Sequence, residues 1–297
     1  MATPEAEELL DELRTEIAER LDDSNDAKQI FDSAMAEFPA SEGTSLEQVE
    51  VGEVRGLRVV APGASEVPGI LYMHGGGHAV GSAVSNQDLI ARLSHSSGVT
   101  VVGIDCPLLP ENPFPAALDA TLAAYRELSS AGERQLVLAG SSAGGGLAVA
   151  AALSLREASQ PQPAGIVCFS PWVDMTVSAP SLAAASDDDW LGREPLVIAA
   201  ETYLDGREPT DWLASPLHAD LAGLPPMLIQ VGGSEILLDD SSRLADAARR
   251  AGTKAELDVW PGMFHNFQLF GSRLSEGAAA LERAGRWARG RLDECRA

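Results

Sequence analysis

Six short apolar runs, each bounded by Gly, Pro or Asp, constrain the fold of this chain more than any other feature. They cover 69–73, 99–104, 135–139, 166–169, 227–231 and 257–260. Continuous apolar runs of this length suit strands buried on both faces. Helical patterns separate them. Pro115 stands at a first helical position ahead of Ala116, Leu118, Leu122 and Tyr125. An Ala- and Leu-rich stretch follows at 144–158, and 241–251 and 278–292 are helix-like. Strand alternating with helix predicts an α/β fold: a mostly parallel central sheet flanked by helices. Ahead of it, Val49, Val51 and Val54 alternate with Glu and Gly and 57–60 is extended, which predicts two short antiparallel strands.

Two segments break this rhythm. Leu9, Leu10, Leu13, Ile17 and Leu21 recur at spacings of three and four, which predicts a helix; a second covers 27–38 and ends near Pro39. Between 175 and 212 no strand pattern occurs, and the stretch carries the run Asp187-Asp188-Asp189 with Trp190, Tyr203 and Trp212. It reads as an inserted helical segment that joins the N-terminal helices as a cap. The expected organisation is one domain, with 1–45 and 175–210 as cap and with 46–174 and 211–297 as core. Leu9, Leu13, Ile17, Trp190, Leu191 and Tyr203 are candidates for apolar pocket walls, or for plain packing of cap on sheet.

Charge narrows the partners. With 21 basic and 44 acidic residues the net charge is −23. Nucleic acid is excluded as a partner, because phosphate-backbone binding needs stripes of Lys and Arg. Anionic membranes are disfavoured on the same ground. No run approaches the ~20 apolar residues of a membrane span, and the acidic start has no basic region of the signal-peptide kind. Cys106, Cys168 and Cys295 are odd in number and lack metal-ligand spacing; the two in or beside apolar runs read as buried thiols. A cytoplasmic location is expected, with no metal and no cofactor.

The chemistry concentrates in four places. Gly140-Ser141-Ser142-Ala143-Gly144 follows an apolar run and opens the Ala-rich helix. A sharp strand-to-helix turn there exposes the central serine, and glycines flank it because side chains would crowd the turn. Ser142 then lies at a helix N-terminus, where free N–H groups favour developing negative charge. The sequence lacks the GK[ST] ending of a phosphate loop and does not fit G-x-G-x-x-G. His74-Gly75-Gly76-Gly77-His78 follows another run, and backbone N–H groups of adjacent glycines can hold an oxyanion.

A serine hydroxyl needs a base. Among five histidines, His265 lies in the loop after the last run, at the sheet edge where Ser142 lies. His74 and His78 are expected to pack or hydrogen-bond around the glycine loop, His95 to be at the surface, and His218 to be structural. The orienting acid follows the run 227–231. Glu235 stands nearest the strand end, and Asp239 and Asp240 are its rivals, although their place before 241–251 suits capping.

These pieces together resemble the hormone-sensitive-lipase-like family of α/β-hydrolase esterases over roughly residues 46 to 292. The carrying residues are His74-Gly75-Gly76-Gly77, Gly140-Ser141-Ser142-Ala143-Gly144-Gly145, Glu235 with Leu237 and Asp239, and Gly262-Met263-Phe264-His265. The stretch Asp105-Cys106-Pro107-Leu108-Leu109-Pro110-Glu111 matches less fully, with Cys106-Pro107 where the family has Tyr-Arg. Ser141 stands where the family often has Asp or Thr, and the acid is Glu rather than Asp. The resemblance implies an α/β-hydrolase fold with a helical cap, Ser142 as nucleophile, His265 as base and Glu235 as acid. It implies N–H groups of Gly76, Gly77 and Ala143 as oxyanion donors, with Gly75 a substitute for one glycine. The expected activity is a serine carboxylesterase on neutral, modest-sized esters or lactones. Acyl transfer or natural-product tailoring by the same serine is the alternative, followed by a non-catalytic receptor. Family members often associate, so the resemblance admits a homodimer.

Overall fold

The computed structural model describes residues 2–23, 27–35, 37–130, 135–184 and 189–295. Helices α1 (Pro4–Asp23) and α2 (Ala27–Met35) come first, and Ile17 and Leu21 have side chains outside the described set. Strands β1 (Ser45–Val51), β2 (Val54–Val60) and β3 (Ser65–Met73) follow, then α3 (Gln87–Ser97), β4 (Val99–Ile104) and α4 (Ala116–Ser130). Next are β5 (Val137–Ser141), α5 (Ala143–Glu157), β6 (Gly165–Phe169), α6 (Ser181–Ala184) and α7 (Arg193–Leu204). The chain ends with β7 (Met227–Gly232), α8 (Leu238–Arg250), β8 (Ala255–Trp260) and α9 (Ser275–Glu294).

The eight strands form one sheet in the order β1-β2-β4-β3-β5-β6-β7-β8. The hairpin β1–β2 is antiparallel and joins β4 antiparallel; from β4 to β8 every pairing is parallel. Parallel strands need crossovers, and the helices supply them on both faces. Alternate side chains of each strand therefore serve two cores. Leu71, Met73, Leu138 and Cys168 pack with Leu118 and Tyr125 of α4, Leu147 of α5 and Leu244 of α8. Ile70, Tyr72, Val137 and Phe169 pack with Leu89 and Leu93 of α3 and Leu281 and Leu292 of α9. Each such side chain gains about 1.5–3 kcal/mol from full burial. The apolar runs were thus a sound guide, because both faces are covered.

One helix has no counterpart among the helices named from sequence, and three expectations need correction. The Ser-rich stretch around His95 is a helix, α3, closed by Gly98 in the left-handed conformation. Its serines look like loop residues in sequence, but Ser96 and Ser97 donate their hydroxyls to the carbonyls of Arg92 and Leu93 one turn back. Strand β8 is an edge strand, so it is only half-covered, and Val259 is 45% exposed. Pro115 lies one residue before α4, and its carbonyl accepts the Asp119 N–H, which makes it a cap rather than a first helical residue. Helix α2 stops at Met35, short of Phe38. No helix among the described residues is long and apolar enough to cross a membrane.

Candidate active site

Strands β3, β5, β6, β7 and β8 run parallel, so the loops after them open at one edge of the sheet. Those loops carry Gly75–Gly77, Ser142, Ser170, Glu235 and His265 in turn. In open α/β sheets this edge is where ligands bind.

Ser142 has φ 52° and ψ −118°, a conformation side chains rarely adopt. The turn is held on both sides. Its N–H donates to the Phe169 carbonyl at 2.8 Å, and its own carbonyl accepts N–H groups of Gly145, Gly146 and Trp172. Such a turn forces α5 against β3. A Cβ on Gly144 would stand 2.1 Å from the Met73 carbonyl oxygen, which only glycine avoids. The residue before the serine is used as well. Tyr72 donates its hydroxyl to Asn86 Oδ1 at 2.8 Å and so accepts from the Ser141 hydroxyl at 2.7 Å, tying the turn to β3.

The structure brings the three sequence-predicted side chains together. Ser142 Oγ lies 3.1 Å from His265 Nε2, and His265 Nδ1 lies 3.2 Å from Glu235 Oε1. Glu235 can only accept, so Nδ1 carries the proton and Nε2 is left as acceptor for the serine hydroxyl. The second carboxylate oxygen of Glu235 accepts the Ser170 hydroxyl and the Gly232 N–H, each at 2.6 Å. All three residues are at most 3% exposed. The rivals point elsewhere. Asp240 Oδ2 accepts the N–H groups of Val173 and Asp174, and Asp239 accepts that of Ser181. Contrary to the capping role expected from sequence, neither caps α8; each ties α8 to the segment after β6. Burial pushes the Asp240 carboxyl up to about 7.

Gly76, Gly77 and Ala143 have N–H groups without an acceptor among the described residues. Gly76 and Gly77 line the same cavity as Ser142, and Ala143 begins α5 directly after it. The glycine loop is fastened through His74, whose Nδ1–H donates to the Gly75 carbonyl while Nε2 accepts the Cys106 N–H. Burial holds this imidazole below its ordinary value, so it stays neutral. Cys106, the departure in sequence, thus serves by its backbone. Its thiol and that of Cys168 are buried, which pushes both up to about 12 and leaves them unreactive. His78 stacks on Tyr203 at 3.8 Å, and burial pushes it down to about 3. His95 is exposed, and His218 pairs with Asp174 at 3.0 Å.

The two glycines are not equivalent, and this yields a test. Gly76 has φ 113°, and a Cβ there would meet the Val80 carbonyl oxygen at 2.2 Å; at Gly77, φ is 59° and the nearest atom is 3.7 Å away. We predict that Gly76→Ala costs more than about 4 kcal/mol, in the range of a forced backbone clash. Gly77→Ala should cost only the ~1–2 kcal/mol of a left-handed non-glycine residue. Thermal melts of the two variants would decide it, and equal losses would contradict the geometry.

The cavity in front of Ser142 measures about 210 Å3. Phe31 of α2 and Leu196 and Ala199 of α7 line it, with Val80, Trp190 and Leu269. Of the proposed wall residues, Trp190 and Leu191 line it. Leu9 and Leu13 pack instead into the core beneath α1, and Tyr203 is buried against His78. Ile17 lies outside the described side chains. Three contributors carried no signal in sequence. Ser170 supports Glu235; Asn266 holds φ 55° and donates its amide to His265 Nε2 at 3.1 Å. The third is Asp189, within the inserted segment, whose carboxylate accepts the His265 N–H at 3.0 Å.

An eight-stranded, mostly parallel sheet with a strained serine at a strand-to-helix turn defines an α/β hydrolase. Comparison with known proteins agrees. A family described as alpha/beta hydrolase fold matches residues 70–269. An acetyl-hydrolase of Streptomyces hygroscopicus is 43% identical over 233 residues, 77% of this chain and 78% of that protein. An esterase of Acinetobacter venetianus is 34% identical, covering 86% of each. The crystal structure of an esterase from the bacterial hormone-sensitive lipase family superposes with a TM-score of 0.92 at 38% identity, covering 98% of this chain and 99% of that one. The chain belongs to the α/β-hydrolase family, in its hormone-sensitive-lipase-like esterase branch.

Proposed function

We propose that the chain hydrolyses neutral carboxylic esters or lactones of modest size through an acyl-enzyme on Ser142. Membership of an esterase family makes the enzyme a carboxylic ester hydrolase. The observation that carries the finer reading is the chain Ser142–His265–Glu235, hydrogen-bonded throughout and open to an apolar cavity. His265 Nε2 takes the serine proton as Oγ attacks the carbonyl carbon, and Glu235 steadies the imidazolium that forms. The oxyanion is received by the N–H groups of Gly76, Gly77 and Ala143, each such donor typically worth ~2.7–4 kcal/mol. His265 then returns the proton to the leaving alcohol, and a water molecule repeats the sequence in reverse to free the acid.

Helices α1 and α2 with residues 175–210 act as a cap in this reading, which the place of Phe31, Leu196 and Ala199 in the cavity lining supports. No Lys or Arg lines the cavity among the described residues, which supports an uncharged substrate. A series of p-nitrophenyl esters from acetate to dodecanoate tests the proposal. Short acyl groups should be preferred, with kcat/KM lower by at least about tenfold, or ~1.4 kcal/mol, at the long end. A rising profile toward dodecanoate would contradict the small site. Absence of hydrolysis across the whole series would remove the esterase reading.

A further inference from the structure

Asp189 is 4% exposed, and three main-chain N–H groups hold its carboxylate. Oδ1 accepts from Trp190 at 2.8 Å and from His265 at 3.0 Å, and Oδ2 accepts from Ile236 at 2.9 Å. Ile236 directly follows Glu235, so one carboxylate grips both the acid loop and the histidine loop. The neighbouring residue completes the grip. Trp190 Nε1 donates to the His265 carbonyl at 2.8 Å, so residues 189 and 190 clasp the His265 backbone at both its donor and its acceptor. The clasp is in turn tied to α1, because Arg14 donates to the Asp189 carbonyl at 3.2 Å.

We propose that Asp189 is a positioning residue for hydrolysis: lodged in the inserted segment, its buried carboxylate sets the spacing of Glu235 and His265 and places a second negative charge beside the imidazole. This inference rests on the esterase reading above. It also implies that seating the cap and assembling the catalytic groups are one event, since the loops bearing Glu235 and His265 are bound by a residue of the cap itself.

A buried carboxylate is costly, and the cost is visible here. Burial pushes Asp189 up to about 6, against the pull of His265 and with the added push of Glu235. The folded pKa lies above the unfolded one, so this group's contribution to stability is full in acid and is lost as pH rises through about 6. A neutral isostere would offer one acceptor oxygen, not two, to the three N–H groups. The groups facing Asp189 are Glu235 and His265 from the loops after β7 and β8 and Arg14 from α1, whose own neighbour is Asp11.

Asp189→Asn keeps the shape, removes the charge and turns an amide NH2 toward the Ile236 N–H, so it also loosens one of the two loops that the carboxylate holds. Active sites would be counted with a fluorophosphonate, and kcat/KM would be followed against pH on an ester the wild type cleaves. We expect kcat per labelled site to fall about tenfold or more with KM within threefold. The acid limb should move to lower pH, because the imidazolium loses a neighbouring negative charge. An activity per labelled site within twofold of wild type, with an unmoved limb, would reduce Asp189 to a packing residue. A variant that does not fold leaves a test on the wild type. The amide resonances of Ile236 and His265 should titrate together with a common midpoint near 6, and independent or flat titrations would overturn the proposal. Failure of the wild type itself to be labelled or to cleave esters would count against the esterase reading instead.

Discussion

Ser142→Ala is expected to lower kcat by ~10⁴–10⁶ with the fold intact, the loss seen when a nucleophile that works as part of a unit is removed. The hydroxyl is the atom placed 3.1 Å from His265 Nε2, and no other hydroxyl or thiol among the described residues lines the cavity with it. Glycine at the same position should do something further. The nucleophile holds φ 52° and ψ −118°. Strain of this kind costs on the order of 1–3 kcal/mol, and glycine relieves it. The greater freedom of glycine in the unfolded chain takes back roughly 0.5–1 kcal/mol. Ser142→Gly should therefore be inactive and more stable by about 1 kcal/mol, raising Tm by ~2–4 °C, while Ser142→Ala gains nothing comparable. Ester hydrolysis and thermal melts would be measured on both. Near-normal turnover in the alanine variant would sink the assignment of the nucleophile, and equal melting temperatures would sink the strain argument.

The same residue shows why the site was legible in sequence. Ser142 needs glycine at 140 and 144 because α5 must press on β3, and that need leaves a pattern that can be read. His265 and Glu235 were legible for a related reason: each follows an apolar run, and in a parallel sheet the residues after the runs meet at one edge. What could not be read depends on folding at a distance. Ser170 reaches Glu235 across 65 positions, and Asp189 reaches His265 across 76. Neither has a local spacing that distinguishes it. Asp189 was masked further by its company, since a run of three aspartates ordinarily belongs in water. Helix α3 went unseen because its serines satisfy carbonyls of their own helix, a bond that composition alone cannot reveal. Strand β8 carries Glu256 and Asp258 in six residues, charges that its place at the edge of the sheet tolerates and that the buried strands β4 to β7 lack.

Glu235→Gln is the sharpest test of the acid, because its geometry dictates which way the amide must turn. In the wild type, Oε2 accepts two donors, the Ser170 hydroxyl and the Gly232 N–H. The glutamine oxygen must take that place, since an amide nitrogen there would face the Gly232 N–H. The NH2 group then faces His265 Nδ1, where the carboxylate oxygen had been 3.2 Å away. Two donors cannot face each other, so Nδ1 must become the acceptor and the proton must move to Nε2, with the Asn266 amide turning its otherwise unpartnered Oδ1 toward that nitrogen. An imidazole protonated at Nε2 cannot take the serine proton. The variant should keep its fold and its cavity, hold KM near the wild-type value, and lose ~10⁴ in kcat, the scale of an orienting carboxylate turned to amide. Glu235→Ala should do less harm to the tautomer and more to the fold, because it leaves the Gly232 N–H without a partner, a loss of ~1–3 kcal/mol. The decisive comparison is therefore kcat of the two variants per labelled active site: a glutamine variant as active as wild type would show that the carboxylate does not orient His265.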